Sequence, residues 1–279
     1  MDVRTRLKAH QFRFKKKFGQ NFITDPTLLG KIARVAPLDE ETVVLEIGAG
    51  AGTLTCALAD LSKAVIAIEV DKTLLPILEE VTVGRPVTLV EGDALKFDLD
   101  QLVYEKTGAE SYKIIANLPY YITTPLIMKV LEEAPHASEI VIMVQKEVAE
   151  RLKAKSGSRI YGAISVMAQY QSEVKEAFFV SRKAFMPSPE VDSAVLHLKR
   201  HETKPYQAKD DKVFRKVVKA SFGQRRKILR NALRTLGLAD EILEVGFEKA
   251  GISPLARGES LSVEDFVRLA DVLFEEGLR

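Results

Sequence analysis

Short apolar runs rich in valine and isoleucine recur through the first half of the chain, at residues 42–47, 64–69, 87–91, 113–117 and 139–144. Runs this short and this uniformly apolar predict strands buried on both faces. Between them lie longer stretches with helical spacing. One begins after Gly52, a second at Asp71, a residue type suited to a helix N-cap. A third begins near Thr123 and Thr124, with Pro125 in the first turn, where its missing N–H is harmless. Strands separated by single helices predict right-handed βαβ units and a parallel sheet.

Past Ile160 the pattern changes. A helix over 161–170 precedes two strand candidates, 173–180 and 191–198, joined by a proline-containing loop over 181–190. This predicts a late antiparallel hairpin at the sheet edge. A polar stretch over 200–209, with Pro205 inside it, reads as a linker. Beyond it the spacing is helical throughout: 212–222, 224–236, 239–250 and 263–276, with Gly237 and Gly251 as C-terminal caps. The expected organisation is an α/β domain over 1–205 and a small all-helical domain over 206–279.

Composition narrows the picture. The chain is 46% hydrophobic and 29% charged with a formal net charge of +2, ordinary for a folded globular protein. The local charge distribution is uneven. Residues 1–20 hold seven Lys or Arg against the single acid Asp2, and residues 212–234 hold nine with no acid. Two basic clusters on a near-neutral chain are either solvated faces or a surface that meets a polyanion. Cys56 is the only cysteine, so no intramolecular disulfide forms, which fits a reducing compartment. His197 and His201 are four apart, but His197 lies in strand-like alternating sequence, so the two do not share a helix face, and no metal site is expected. The N-terminus lacks the apolar core of a secretion signal, and no apolar run reaches the length of a membrane span. A cytoplasmic location is expected.

Candidate chemistry begins at Glu46-Ile47-Gly48-Ala49-Gly50-Ala51-Gly52-Thr53, which follows a strand and opens a helix. Glycines there allow a tight turn and close approach of backbone to ligand. Such sheets bind ligands at the carboxyl ends of their strands. The spacing is GxGxG and not the GxGxxG of dinucleotide sites, and the turn alone fits either a nucleotide-like cofactor or a merely tight corner. Two acids at later strand ends favour the cofactor. Glu69 is placed to accept from ribose hydroxyls, and Asp93 from an adenine amine, although helix capping is the competing role. A crown of acids disfavours a pyrophosphate and favours a cationic sulfonium cofactor.

The sharpest signal is Asn117-Leu118-Pro119-Tyr120 after the fourth strand. The exocyclic amine of a purine is a poor nucleophile, because its lone pair is delocalised into the ring. Two acceptors that hold both amine hydrogens favour a pyramidal nitrogen. The Asn117 side-chain carbonyl and the Leu118 backbone carbonyl can be those acceptors. Pro119 fixes the backbone and removes a competing donor, and Tyr120 offers a flat face. This is catalysis by positioning. Phe185 in the late loop is either a second face for an extruded base or a core plug beneath a proline-rich loop.

Five segments in order, Phe18-Gly19-Gln20-Asn21-Phe22, the EIGAGAG turn, NLPYYIT from Asn117, FMPSPEVDSAV from Phe185 and FGQRRK from Phe222, resemble the KsgA-type ribosomal RNA adenine dimethyltransferases over nearly the whole chain. The resemblance implies a Rossmann-like class I methyltransferase sheet, mainly parallel with the late hairpin, plus the helical C-terminal domain. It implies S-adenosylmethionine as cofactor, contacted by Asn21, Ile23, Gly48, Gly50, Glu69, Asp93 and Asn117. It implies Asn117, Leu118, Pro119 and Tyr120 at the catalytic centre, with Tyr120 and Phe185 bracketing the adenine. The implied reaction is dimethylation of two adjacent adenosines near the 3′ end of small-subunit rRNA, within an assembling small subunit, with a part in subunit biogenesis. The basic clusters then grip rRNA phosphates without reading sequence. Nothing demands a dimer, and a monomer is expected. The rivals are a large-subunit rRNA adenine methyltransferase of the antibiotic-resistance type, a non-catalytic assembly or transcription factor on the same fold, and a DNA adenine methyltransferase.

Overall fold

The computed structural model describes residues 3–15, 19–224 and 227–279. Phe18 of the first motif, Lys16 and Lys17 of the N-terminal basic cluster, and Arg225 and Arg226 of the last motif lie outside the described residues. Internal contacts divide the chain into two compact units, residues 1–149 with 174–200, and residues 150–173 with 201–279.

Among the described residues there are nine strands, all in the first unit save the first two residues of β7: β1 (Phe22–Ile23), β2 (Val43–Ile47), β3 (Ala64–Glu69), β4 (Val87–Glu91), β5 (Tyr112–Asn117), β6 (Ala137–Gln145), β7 (Ser172–Val180), β8 (Phe185–Met186) and β9 (Ser193–Arg200). Seven of them form one sheet in the order β4-β3-β2-β5-β6-β9-β7. The pairs among β4, β3, β2, β5 and β6 are parallel, and β6 runs antiparallel to β9. The mixed sheet matches the expected one, and each of the five predicted parallel strands is present. All five residues of β2 are buried, as a strand covered on both faces requires. The chain steps outward from β2 to β3 to β4 and then returns to β5 on the other side of β2. This reversal opens a crevice at the carboxyl ends of β2 and β5, where Gly48 and Asn117 lie.

Two features differ from expectation. The helix predicted from Asp71 spans Leu75–Thr82. Asp71 does not cap it: its carboxylate accepts from the backbone and hydroxyl of Thr73 in the turn ahead of it. The second feature was not predicted. β1 and β8 form a separate two-stranded antiparallel ladder, pairing Phe22 with Met186 and Ile23 with Phe185. It joins the N-terminal segment to the loop before β9.

The second unit is helical: Ala163–Gln171, Asp211–Gly223, Leu229–Leu233, Asp240–Ala250 and Val263–Glu275. It takes in residues 150–173, which the expected boundary at 205 assigns to the first domain. The helix predicted over 224–236 is shorter, spanning Leu229–Leu233, with a 3₁₀ turn over Arg234–Leu236. Gly237 and Gly251 adopt left-handed backbone at the ends of their helices, as C-capping requires. Among the described residues no helix is long and apolar enough to cross a membrane.

Candidate active site

The crevice continues into a pocket whose lining, among the described residues, comes only from Gly19 to Ile122. Its floor is the glycine turn after β2. Gly48 has φ +80° and donates its backbone N–H to Ile68. A Cβ there would make ordinary contact with Pro119 at 3.4 Å, so the left-handed backbone is what favours glycine at this turn. Gly50 has φ +61° and donates to Glu69 Oε2 at 2.8 Å.

Glu69 is buried at the end of β3, and its other oxygen accepts from the backbone N–H of Asp71 at 2.8 Å. Burial pushes its carboxyl up, and the backbone N–H groups of Asp71 and Gly50 oppose that shift. The two bonds fix the carboxylate plane while each oxygen keeps a further lone pair for a ligand. Asp93 lines the pocket after β4, and its Oδ1 caps the short 3₁₀ turn at Leu95. It is thus a cap through one oxygen and pocket-facing at the same time. Glu46, Glu69 and Asp93 all line this one pocket, placing three carboxyl groups near the ends of β2, β3 and β4.

The Asn117 loop forms the opposite wall. The Asn117 Nδ2 donates to the backbone carbonyl of Asn21 at 3.2 Å. This bond, through one of the two amide N–H groups, fixes the orientation of the amide and leaves its carbonyl able to accept from a ligand. The Leu118 side chain is buried, and its backbone N–H is anchored to Met143 of β6 at 3.2 Å. The Pro119 carbonyl accepts from Ile122 N–H and Thr123 Oγ, which curls the chain into a 3₁₀ turn over Tyr120–Ile122. Tyr120 is held at its far end: its phenol oxygen lies 2.6 Å from Ser193 Oγ. Burial pushes the phenol up, with the Ser193 bond opposing.

Asn21 and Ile23 also line the pocket. The Asn21 side chain donates to the Gly19 carbonyl at 2.9 Å, closing a tight local turn. Ile23 is buried in β1 against Phe185. Phe185 is 4% exposed and packed in the core with Ile23 and Leu29. Tyr121, half exposed, does line the pocket.

Sequence reasoning passed over Glu46. It is 1% exposed within β2, and its Oε2 accepts from Thr55 Oγ1 at 2.5 Å. Burial raises its pKa to about 8, with Thr55 opposing and Glu69 adding to the rise. An acid inside an otherwise apolar strand was the available signal. Ser193, Lys15 and Gln20 carried no such signal, because their partners are distant in sequence.

The basic clusters are in part internally paired. Lys15 meets Asp71 at 2.6 Å and Arg230 meets Glu244 at 2.9 Å. Arg234 meets Asp240 at 2.5 Å.

A family model described as ribosomal RNA adenine dimethylase matches residues 11–275. A ribosomal RNA small subunit methyltransferase A from Lachnoclostridium phytofermentans is 42% identical over 275 residues, covering 97% of this chain and 95% of the relative. Among solved structures, a dimethyladenosine transferase from Plasmodium falciparum superposes with a TM-score of 0.73 at 25% identity, covering 92% of this chain and 98% of that one. The 23S rRNA methyltransferase ErmE superposes with a TM-score of 0.66 at 25% identity, covering 91% and 99%.

Proposed function

The chain belongs to the ribosomal RNA adenine dimethylase family, and from that premise we propose how its pocket works. The enzyme uses S-adenosylmethionine to dimethylate the exocyclic amines of two adjacent adenosines near the 3′ end of small-subunit rRNA. Near-complete coverage of a small-subunit relative at 42% identity, against 25% for the large-subunit ErmE, favours this over the resistance-type reaction. The substrate is met within an assembling small subunit, in the cytoplasm, by a monomer. Residues 1–205 carry catalysis, and the helices of 206–279 help to choose the RNA.

The residues present fit the cofactor. Glu69 and Asp93 suit its ribose hydroxyls and adenine amine, Gly48 and Gly50 allow close approach, and Asn21 and Ile23 cover it. When bound, S-adenosylmethionine supplies an electrophilic methyl group on a sulfonium. What the chain adds is orientation. The Asn117 side-chain carbonyl and the Leu118 backbone carbonyl accept the two amine hydrogens, favouring a pyramidal nitrogen with its lone pair directed into the pocket. The amine proton becomes acidic as the nitrogen is alkylated, so no strong base is needed. Tyr120, steadied by Ser193, provides the flat face for a base taken out of its stack. Phe185, paired with Ile23 in the β1–β8 ladder, is the candidate for the second face.

The observation that carries this reading is the Asn117–Asn21 hydrogen bond, which fixes the orientation of the amide and so the direction in which its carbonyl can accept from the amine. The test is methyl transfer from labelled S-adenosylmethionine to undermethylated small subunits, large subunits and duplex DNA, followed by nucleoside analysis. Dimethyladenosine confined to small-subunit RNA is expected. Label in large-subunit RNA or DNA, or no label with the cofactor bound, would overturn it.

A further inference from the structure

Asp71 lies two residues past Glu69 and is 2% exposed, yet neither capping nor the proposed cofactor contacts account for its side chain. Its carboxylate collects bonds from two distant residues of the N-terminal segment. Lys15 Nζ reaches Oδ1 at 2.6 Å, and Gln20 Nε2 reaches Oδ2 at 2.7 Å. Gln20 in turn accepts at its side-chain oxygen from the Lys15 backbone N–H at 2.9 Å. Burial pushes the Asp71 carboxyl up, but the hydrogen bonds from Lys15, Thr73 and Gln20 outweigh it and hold its pKa below the ordinary value.

The residue after Gln20 is Asn21, whose carbonyl holds the Asn117 amide. The Tyr121 ring lies beside the same segment: a Cβ on Gly19 would sit 3.5 Å from it. The N-terminal segment is thus pinned at Asp71 and touches Asn117 at its next residue.

We propose that Asp71 is a positioning residue for methyl transfer: it anchors Gln20 and Lys15 so that the Asn21 carbonyl keeps Asn117 turned with its acceptor toward the target amine. The inference rests on the role given to Asn117 above. It assigns the Asp71 side chain a task separate from that of its backbone N–H, which serves Glu69 and survives any substitution of the side chain. Loss of the anchor frees the segment and lets the Asn117 amide rotate, and small misplacements of a positioning group have large kinetic effects.

The variants are Asp71→Ala, Asp71→Asn and Gln20→Leu in the full chain. Hydrogen exchange over residues 19–23, measured in cofactor-free protein, reads the anchor without any catalysis. Steady-state kinetics on undermethylated small subunits, with calorimetric titration of S-adenosylmethionine, read its consequence. We expect Asp71→Ala to speed exchange over that segment and to lower kcat by ~10-fold or more. The cofactor Kd should change less than kcat, and Tm should stay near that of the parent. Asp71→Asn keeps an acceptor for Gln20 and should recover part of kcat, whereas Gln20→Leu should follow Asp71→Ala. Parent-like exchange and kcat in Asp71→Ala would overturn the proposal, as would a fall in kcat no larger than the fall in folded fraction. Failure of the parent protein to methylate small subunits would instead overturn the functional reading, and the exchange measurement would still test the anchor.

Discussion

Asn117 and Asn21, 96 positions apart, meet through one hydrogen bond of 3.2 Å from the Asn117 side-chain amide to the Asn21 backbone carbonyl. The bond distinguishes the two ends of an amide that are nearly equal in size and opposite in chemistry. Asn117→Asp is therefore informative. It keeps an acceptor for the amine but sets a carboxylate oxygen against the Asn21 carbonyl, where both partners can only accept. Methyl transfer should fall by ~10-fold or more, the magnitude typical of losing one positioned polar contact, while cofactor affinity stays within a few-fold. Single-turnover rates beside calorimetric titration check this, and parent-like turnover would show that the orientation of Asn117 is unimportant.

The Tyr120–Ser193 contact separates a hydroxyl's structural part from a ring's chemical part. Ser193 is fully buried, so Tyr120→Phe strands its hydroxyl, at roughly 1–3 kcal/mol. For a chain of this size that lowers Tm by a few degrees. Adding Ser193→Ala should restore part of the loss. Because the ring remains, Tyr120→Phe should keep most of kcat, and Tyr120→Ala should not. Thermal melts and initial rates on the four proteins decide it.

Gly52 begins the helix Thr53–Ala59 with φ +78°, and a Cβ there would lie 2.5 Å from Val81 Cγ2. Gly52→Ala should destabilise by roughly 1–3 kcal/mol through strain and overpacking together. Combining it with Val81→Ala removes the clash but not the backbone strain, so only partial recovery is expected in denaturant midpoints. Full recovery would place the whole cost in the clash.

Glu46 predicts a pH dependence. Its pKa in the folded protein is raised to about 8 from an ordinary carboxylate value in the unfolded chain. The folded state thus binds the proton more tightly. The resulting stabilisation is complete below the unfolded pKa and is lost as pH rises toward 8. Glu46→Gln, which mimics the protonated acid, should flatten the fall in Tm between pH 5 and pH 9 and be the more stable protein at the alkaline end. An unchanged slope would mean that Glu46 is ionised in the fold.

The sheet was legible in the sequence because its central strands are short runs rich in Val and Ile, broken by single acids such as Glu46 in β2 and Glu139 in β6. Gly48, Glu69, Asp93 and Asn117 stand out in the sequence because each lies at or just past the carboxyl end of a strand, where a parallel sheet gathers its ligand contacts. The start of the helix at Leu75 was obscured by Asp71, whose residue type suits a cap but whose carboxylate serves the N-terminal segment. The β1–β8 ladder left no trace, since two residues on each side show no alternation and pair only because the tertiary fold brings Ile23 to Phe185. Phe185 is ambiguous in the sequence for the same reason. Its residue type fits either a stacking face or a plug, and nothing in the neighbouring sequence chooses between them.

Every described residue that lines the cofactor pocket falls between Gly19 and Ile122. The machinery for handling the methyl donor is thus inherited as one uninterrupted stretch of gene. Later residues enter as supports, Met143 behind Leu118 and Ser193 behind Tyr120. A duplicated gene can therefore vary much of its second half while this stretch stays fixed.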